Sequence, residues 1–190
     1  MTATNRELDL GCGRNKHPGS VGVDRIPNPG VNLVADLDHF PYPLAANSFD
    51  RIYLTHVVEH LRSIPRLMEE VHRISRDGAE VVIVTPHYTD ASSWQDPTHL
   101  WHLNSRSFDV FQEGADFDYY STARFKVQQV EVKLLKLYRV LGLEFLLNLP
   151  NRYPIFRGLR RFWEQYLCFL IRAKYLVFHL QTLKGKTESK

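Results

Sequence analysis

Glu7-Leu-Asp-Leu-Gly-Cys-Gly13 reads as a short apolar strand running straight into a glycine turn. Glycine carries no Cβ, so the backbone can turn sharply there and a ligand can approach it closely. In an open α/β sheet, ligands bind beyond the carboxyl ends of the strands, at this kind of place. Gly-x-Gly alone recurs by chance in many loops, and its weight here comes from the runs downstream of it. Val21-Gly-Val-Asp24 and Val31-Asn-Leu-Val-Ala-Asp36 are two more short apolar runs, each closed by an aspartate. Ser48-Phe-Asp-Arg-Ile-Tyr-Leu-Thr55 then leads into His56-Val-Val-Glu-His-Leu61.

Outward from this series, strands are predicted over residues 6–10, 21–23, 33–35, 49–54 and 80–85, the last a nearly all-apolar, β-branched run of the kind found in buried parallel strands. Ser63 caps a helix with Pro65 in its first turn and Leu67, Met68, Val71 and Ile74 at helical spacing; Gly78 reads as its C-terminal cap. Only about ten residues, Pro18 and Gly19 among them, separate Gly13 from Val21, too few for a crossover helix of several turns plus a loop. Pro41 and Pro43 fix the loop Phe40-Pro-Tyr-Pro-Leu44. Further on, Ser105 is predicted to cap a short helix over 106–111, residues 124–134 alternate as a strand, 155–171 read as an amphipathic helix, and 175–183 as a last strand.

The series over residues 6 to 112 resembles the class I S-adenosylmethionine-dependent methyltransferases, in particular the group whose fourth strand ends in Glu-His-Leu. The resemblance implies one Rossmann-like α/β domain over 1–190, with a seven-stranded, mostly parallel sheet, an antiparallel edge strand and an abbreviated first crossover. Residues 86–123 would be the variable substrate or lid segment and 138–190 the part that completes the sheet. The family pattern places S-adenosyl-L-methionine on Asp9, Gly11, Cys12, Gly13, Asp24, Asp36, Leu37 and Thr55. Asp24, an acceptor-only group at a strand tip, suits the two ribose hydroxyls. Asp36 and Leu37 stand where the family holds the adenine amino group and ring. Asn15 occupies the region of the family's third loop glycine. A nicotinamide-dependent dehydrogenase fits less well, because its Gly-x-Gly-x-x-Gly would need glycine at Lys16.

Methyl transfer from a sulfonium needs nucleophile and methyl held close and aligned, and a base only where the acceptor keeps its proton. His56 and His99 are the candidate catalytic residues, imidazoles that ordinarily titrate near ~6.5. His56, Glu59 and His60 fall at i, i+3 and i+4, one face if the chain turns helical after the fourth strand. With His99 they form a candidate divalent-metal set. The ubiquinone-pathway O-methyltransferases and the small-RNA 2′-O-methyltransferases look similar here, with Glu-x-x-Glu-His; this chain has His56 in place of the first glutamate. His87 and His102 belong to the segment expected over the same mouth.

Hydrophobic residues make up 44% of the 190 and charged residues 24%, which excludes disorder and suits a soluble domain with a real core. Two distant cysteines, Cys12 and Cys168, make no disulfide framework and point to a reduced, cytoplasmic protein, monomeric or homodimeric. Residues 1–6 show no apolar leader, and no run reaches the ~18 apolar residues of a spanning helix. The net charge of +3 is uneven: residues 1–137 carry −4 and residues 138–190 carry +7. Within the basic part, 153–171 interleaves aromatic and basic residues. Packing against the sheet is the expectation; peripheral membrane contact and a nucleic-acid surface are the alternatives. The function expected is methyl transfer to a small-molecule or lipid-like acceptor. Competing with it are a catalytically inactive nucleotide-binding scaffold or membrane-associated partner protein, and an RNA methyltransferase.

Overall fold

Seven strands form one sheet in the order β3-β2-β1-β4-β5-β7-β6. The structure, a computed structural model, describes residues 6–116 and 118–185; the leader reading of residues 1–5 lies outside them. β1 (Glu7–Leu10) has its core positions Leu8 and Leu10 fully buried and pairs in parallel with β2 (Val21–Asp24) on one side and β4 (Phe49–Thr55) on the other. β3 (Leu33–Val34) extends the sheet beyond β2, and β5 (Ser75–Pro86) extends it beyond β4, both in parallel. The strand order therefore reverses between β1 and β4. The loops that leave their carboxyl ends, at Gly11 and at His56, flank that switch point, where α/β sheets open a ligand crevice. β7 (Ala173–Thr182) runs antiparallel to β5 and to β6 (Phe125–Leu134), so the antiparallel strand lies one place in from the edge.

α1 (Ile64–Ile74) forms where expected. Ser63 Oγ accepts the Arg66 N–H, Pro65 sits in the first turn, and Leu67, Met68, Val71 and Ile74 are fully buried. Gly78 is not its cap. The helix stops at Ser75, whose hydroxyl donates to the Val71 carbonyl, and β5 begins at once. Gly78, at φ +74°, instead lies where β5 carries three extra residues between its pairings with Phe49 and Arg51, a bulge that left-handed backbone absorbs.

The first crossover contains no helix: residues 11–20 form turns and bends only. Side chains replace the missing helix. Asp9 Oδ2 accepts the His17 N–H at 2.8 Å, Lys16 Nζ donates to the Ser20 carbonyl at 2.8 Å, and the His17 ring stacks on Tyr53 at 3.8 Å. The loop after β3 is fixed from α1. Glu70 accepts the Tyr42 N–H, Arg73 donates to the Tyr42 and Leu44 carbonyls, and the two side chains pair at 2.8 Å. Burial alone would raise the Glu70 carboxyl, but the Arg73 guanidinium and the Tyr42 N–H outweigh it and hold it below the usual range. Tyr42 in turn is buried and donates its hydroxyl to the Leu37 carbonyl, which places Leu37.

The C-terminal part departs from the pattern. The turn at 105–108 leads only into a 3₁₀ turn, Asp109–Phe111, and Ser105 does not cap it: Ser105 N–H and hydroxyl both donate to Glu164. α2 (Lys136–Val140) and α3 (Leu143–Asn148) come after β6, and the Asn148 side chain bonds both backbone groups of Val132. The helix expected over 155–171 forms as far as Leu167, as a 3₁₀ turn (Pro154–Phe156), α4 (Arg157–Phe162) and a π-helical turn (Trp163–Leu167) in unbroken succession. Trp163 is buried, with its indole N–H on the Ile171 carbonyl. Most of the other apolar residues in that stretch face outward. No described helix is long and apolar enough to cross a membrane.

Candidate active site

Gly11 opens the crevice. Its φ is +69°, its N–H bonds the Val23 carbonyl at the end of β2, and a Cβ there would overlap the Val57 side chain. Only glycine lets the loop lie so close to the turn after β4. Beside it lies a cleft of about 300 Å³, lined by Gly11, Asp24, Asp36, Leu37, His56 and His60 together with Arg25, Ala35, Asp38, Val57, Leu61 and Thr98. The volume is at the small end of ligand sites. Asp24, at the tip of β2, accepts the Gly13 N–H through Oδ2 at 2.8 Å and the Ile26 N–H through Oδ1 at 2.9 Å. Each oxygen keeps a second acceptor direction for a ligand. Asp36 is exposed, and the Asp38 N–H, with His39 as the lesser partner, holds its carboxyl below the usual range.

A second cleft, of about 600 Å³, opens beside the first and shares His56 and His60 with it; Glu59, Pro86, Ser92, Gln95, Asp96, Pro97 and His99 complete its wall. His56 stands at the seam in left-handed backbone, φ +55°, a conformation that costs a non-glycine residue roughly 1–2 kcal/mol. The helical face expected for His56, Glu59 and His60 is therefore absent, since the chain turns only at a 3₁₀ turn, Val58–His60. The loop from β5 brings the third partner instead. Leu100 N–H bonds the Glu59 carbonyl at 2.7 Å and Trp101 Nε1 bonds the Leu61 carbonyl at 2.7 Å, so the loop lies over that turn.

The hydrogen bonds assign the histidine tautomers. Thr98 hydroxyl donates to Asp96 Oδ1 at 2.7 Å, so its oxygen accepts from His60 Nδ1 at 2.9 Å. His99 Nδ1 faces the Ser93 carbonyl at 3.0 Å and must donate. In its neutral form each ring then presents Nε2 as an acceptor, that of His99 standing 4.0 Å from Asp96 Oδ2. Glu59 is buried, its two oxygens taken by His56 Nδ1 at 3.2 Å and Thr85 Oγ1 at 3.1 Å. Glu59, His60 and His99 each bring one donor atom within 4.8 Å of the others; His56 is not in that group.

Of the residues expected on the cofactor, Gly11, Asp24, Asp36 and Leu37 line the first cleft, whereas Asp9, Cys12, Gly13 and Thr55 do not. Asp9 is buried and closes the first crossover, with burial raising its carboxyl. Cys12 is buried against Gly22 between β1 and β2. His87 is turned into the core, where it faces Thr89 and Glu164, and His102 stacks on Trp94. Arg25 and Thr98 are additions. Thr98 is held by Asp96, which accepts its N–H at 2.8 Å, a turn that aspartate commonly makes two residues on.

The model of the family described as "Methyltransferase domain" matches residues 3–122, more than half of the chain. The chain belongs to the methyltransferase family. It is a class I, S-adenosylmethionine-dependent member, with the seven-stranded Rossmann-like sheet of that class. Among solved structures it is similar to an S-adenosylmethionine-dependent methyltransferase from Mesorhizobium loti, at 17% identity over 93% of this chain and 90% of that one, with a TM-score of 0.55. A second such methyltransferase, from Archaeoglobus fulgidus, shares 18% identity over 94% and 86%, with a TM-score of 0.57. Haemonchus contortus phosphoethanolamine N-methyltransferase 2, solved with S-adenosyl-L-methionine, shares 16% over 97% of this chain and 50% of its own, with a TM-score of 0.57. At these identities the structural likeness bears on fold alone. No curated protein matches the chain significantly.

Proposed function

We propose that this methyltransferase holds S-adenosylmethionine in the Gly11–Asp24–Asp36 cleft and admits a proton-bearing small or lipid-like acceptor through the Glu59–His99 cleft. The observation that carries this reading is that the two clefts meet at His56 and His60. The first cleft fits the cofactor by its chemistry: two carboxylates for hydroxyl and amino groups, and Ala35, Leu37, Val57 and Leu61 for an apolar ring. S-adenosylmethionine, when bound, supplies an activated methyl group. The chain's own part is to place Asp24 on the ribose, pack Leu37 on the base, and hold the acceptor beside His99, whose Nε2 takes its proton. Glu59 steadies His56 at the seam.

A small acceptor is favoured over RNA because the second cleft carries Glu59 and Asp96 and no lysine or arginine. Phosphate-backbone binding draws its affinity from such cations. Two buried thiols, both free, support a reducing, cytoplasmic setting. The test is incubation of the protein and methyl-labelled S-adenosylmethionine with separated organic-extractable and RNA fractions of a cell extract. Label is expected in the organic-extractable fraction; label in RNA alone overturns the choice of acceptor.

A second use of the same atoms is supported by the approach of Glu59, His60 and His99. One carboxylate and two imidazole nitrogens suit a zinc-like or iron-like ion better than magnesium. Such an ion would act as a Lewis acid on the acceptor oxygen.

A further inference from the structure

Residues 136–172 form a helical cap over β6, and their charges are sorted. Six cations, Lys136, Arg139, Arg152, Arg157, Arg161 and Arg172, are exposed. The only two acids, Glu144 and Glu164, are both spent inside: Glu144 accepts the Leu134 N–H, and Glu164 binds Ser105 and His87. The seventh cation, Arg160, is structural, donating to the Leu147 carbonyl and to Asn151, and burial pushes its guanidinium down to about 10. Between the exposed cations stand large apolar side chains with nothing over them. Val140, Phe145, Ile155, Tyr166, Phe169 and Leu170 are 70–88% exposed. The two ends of the cap are tied together, Tyr138 hydroxyl donating to the Leu170 carbonyl. An uncovered apolar patch of this extent marks an interaction site.

We propose that this cap docks on an anionic lipid bilayer, with the apolar side chains in the interfacial layer and the arginines among the headgroups. Charge selects the occupant. A second copy meeting the first through this same face would set cations against cations with no exposed acid to answer them, contrary to what a two-fold interface requires. An anionic headgroup layer answers all six. The absence of a spanning helix among the described residues fits a surface-bound state. The cap is linked by contacts to the loop that carries His99. Phe169 packs edge-on against Tyr88, Trp94 Nε1 donates to the Tyr88 carbonyl, and the neighbouring Ser93 carbonyl holds His99. The proposal stands independently of the cofactor assignment, and its test needs no methyl transfer.

The test is flotation of the full chain with phosphatidylcholine vesicles and with vesicles containing roughly 30% phosphatidylglycerol. Binding is expected to the anionic vesicles only, weakened at least about tenfold by ~0.5 M salt, which screens surface charge. Phe145→Glu/Ile155→Glu, at two outward positions, is expected to lose binding about tenfold or more while circular dichroism and melting stay unchanged. Arg157→Glu/Arg161→Glu is expected to lose the anionic preference. No flotation with either vesicle overturns the proposal. So does flotation that the Phe145/Ile155 pair leaves intact, which would be charge adsorption alone. Sedimentation showing a dimer that the same pair dissociates, or RNA binding in place of flotation, assigns the face to another occupant.

Discussion

Asp24→Ala is expected to weaken S-adenosylmethionine binding by about 100- to 10,000-fold. Two charge-assisted hydrogen bonds to ribose hydroxyls are lost, each worth about 1.5–3 kcal/mol, and about 1.4 kcal/mol corresponds to tenfold. The same carboxylate also accepts the Gly13 and Ile26 N–H groups, so its removal loosens the loop that frames the cleft. Asp24→Asn keeps one acceptor oxygen but turns an amide donor toward one of those N–H groups, and should fall between alanine and wild type. Calorimetric titration measures both. Unchanged affinity in Asp24→Ala would mean that the cleft is not the ribose site, whatever the fold.

His99→Gln is expected to lower kcat by about 10²–10³ with the affinity for S-adenosylmethionine unchanged, the usual scale of a lost general base. The geometry dictates the split, because His99 lines the second cleft and not the first. Glutamine puts its amide where Nε2 stood and gives up the Nδ1 bond to the Ser93 carbonyl, so His99→Asn, whose amide nitrogen takes the place of Nδ1, is measured beside it and is expected to lose kcat equally with the loop anchor kept. Chelation separates the two uses of that nitrogen. If Nε2 acts as a base, dialysis against a chelator leaves the rate alone; if it helps hold an ion, chelation lowers the rate as much as His99→Gln or His60→Gln does. A His99→Gln enzyme with full kcat would remove the residue from the chemistry altogether.

The strands and the tips that carry Asp24, Asp36 and His56 were legible because parallel core strands leave an apolar run, and the turn after each run leaves a glycine or an aspartate. Side-chain substitutes for missing elements leave no such period. Nothing in the spacing says that Asp9 closes a helix-free crossover through His17, yet that task turns Asp9 away from the cleft. Similarly, Gly78 and Ser105 carry helix-cap chemistry by type, while their partners, the bulged pairing with β4 and the half-buried Glu164, lie far off in sequence. The stretch 155–171 turns helical as its apolar period predicts, but only Trp163 and Cys168 are buried and most of its other apolar residues face outward, which the period alone does not show. His56, Glu59 and His60 converge through a left-handed residue and a loop from β5 rather than along a helix, and no local rule predicts that.

Calorimetric titration of the wild-type chain with S-adenosylmethionine and with S-adenosylhomocysteine tests the cleft most directly. One site per chain with micromolar affinity for both ligands is the predicted result, on the order of 8 kcal/mol of binding free energy. No heat and no competition with either ligand, from a protein whose melting shows it folded, would contradict the assignment of the Gly11–Asp24–Asp36 cleft.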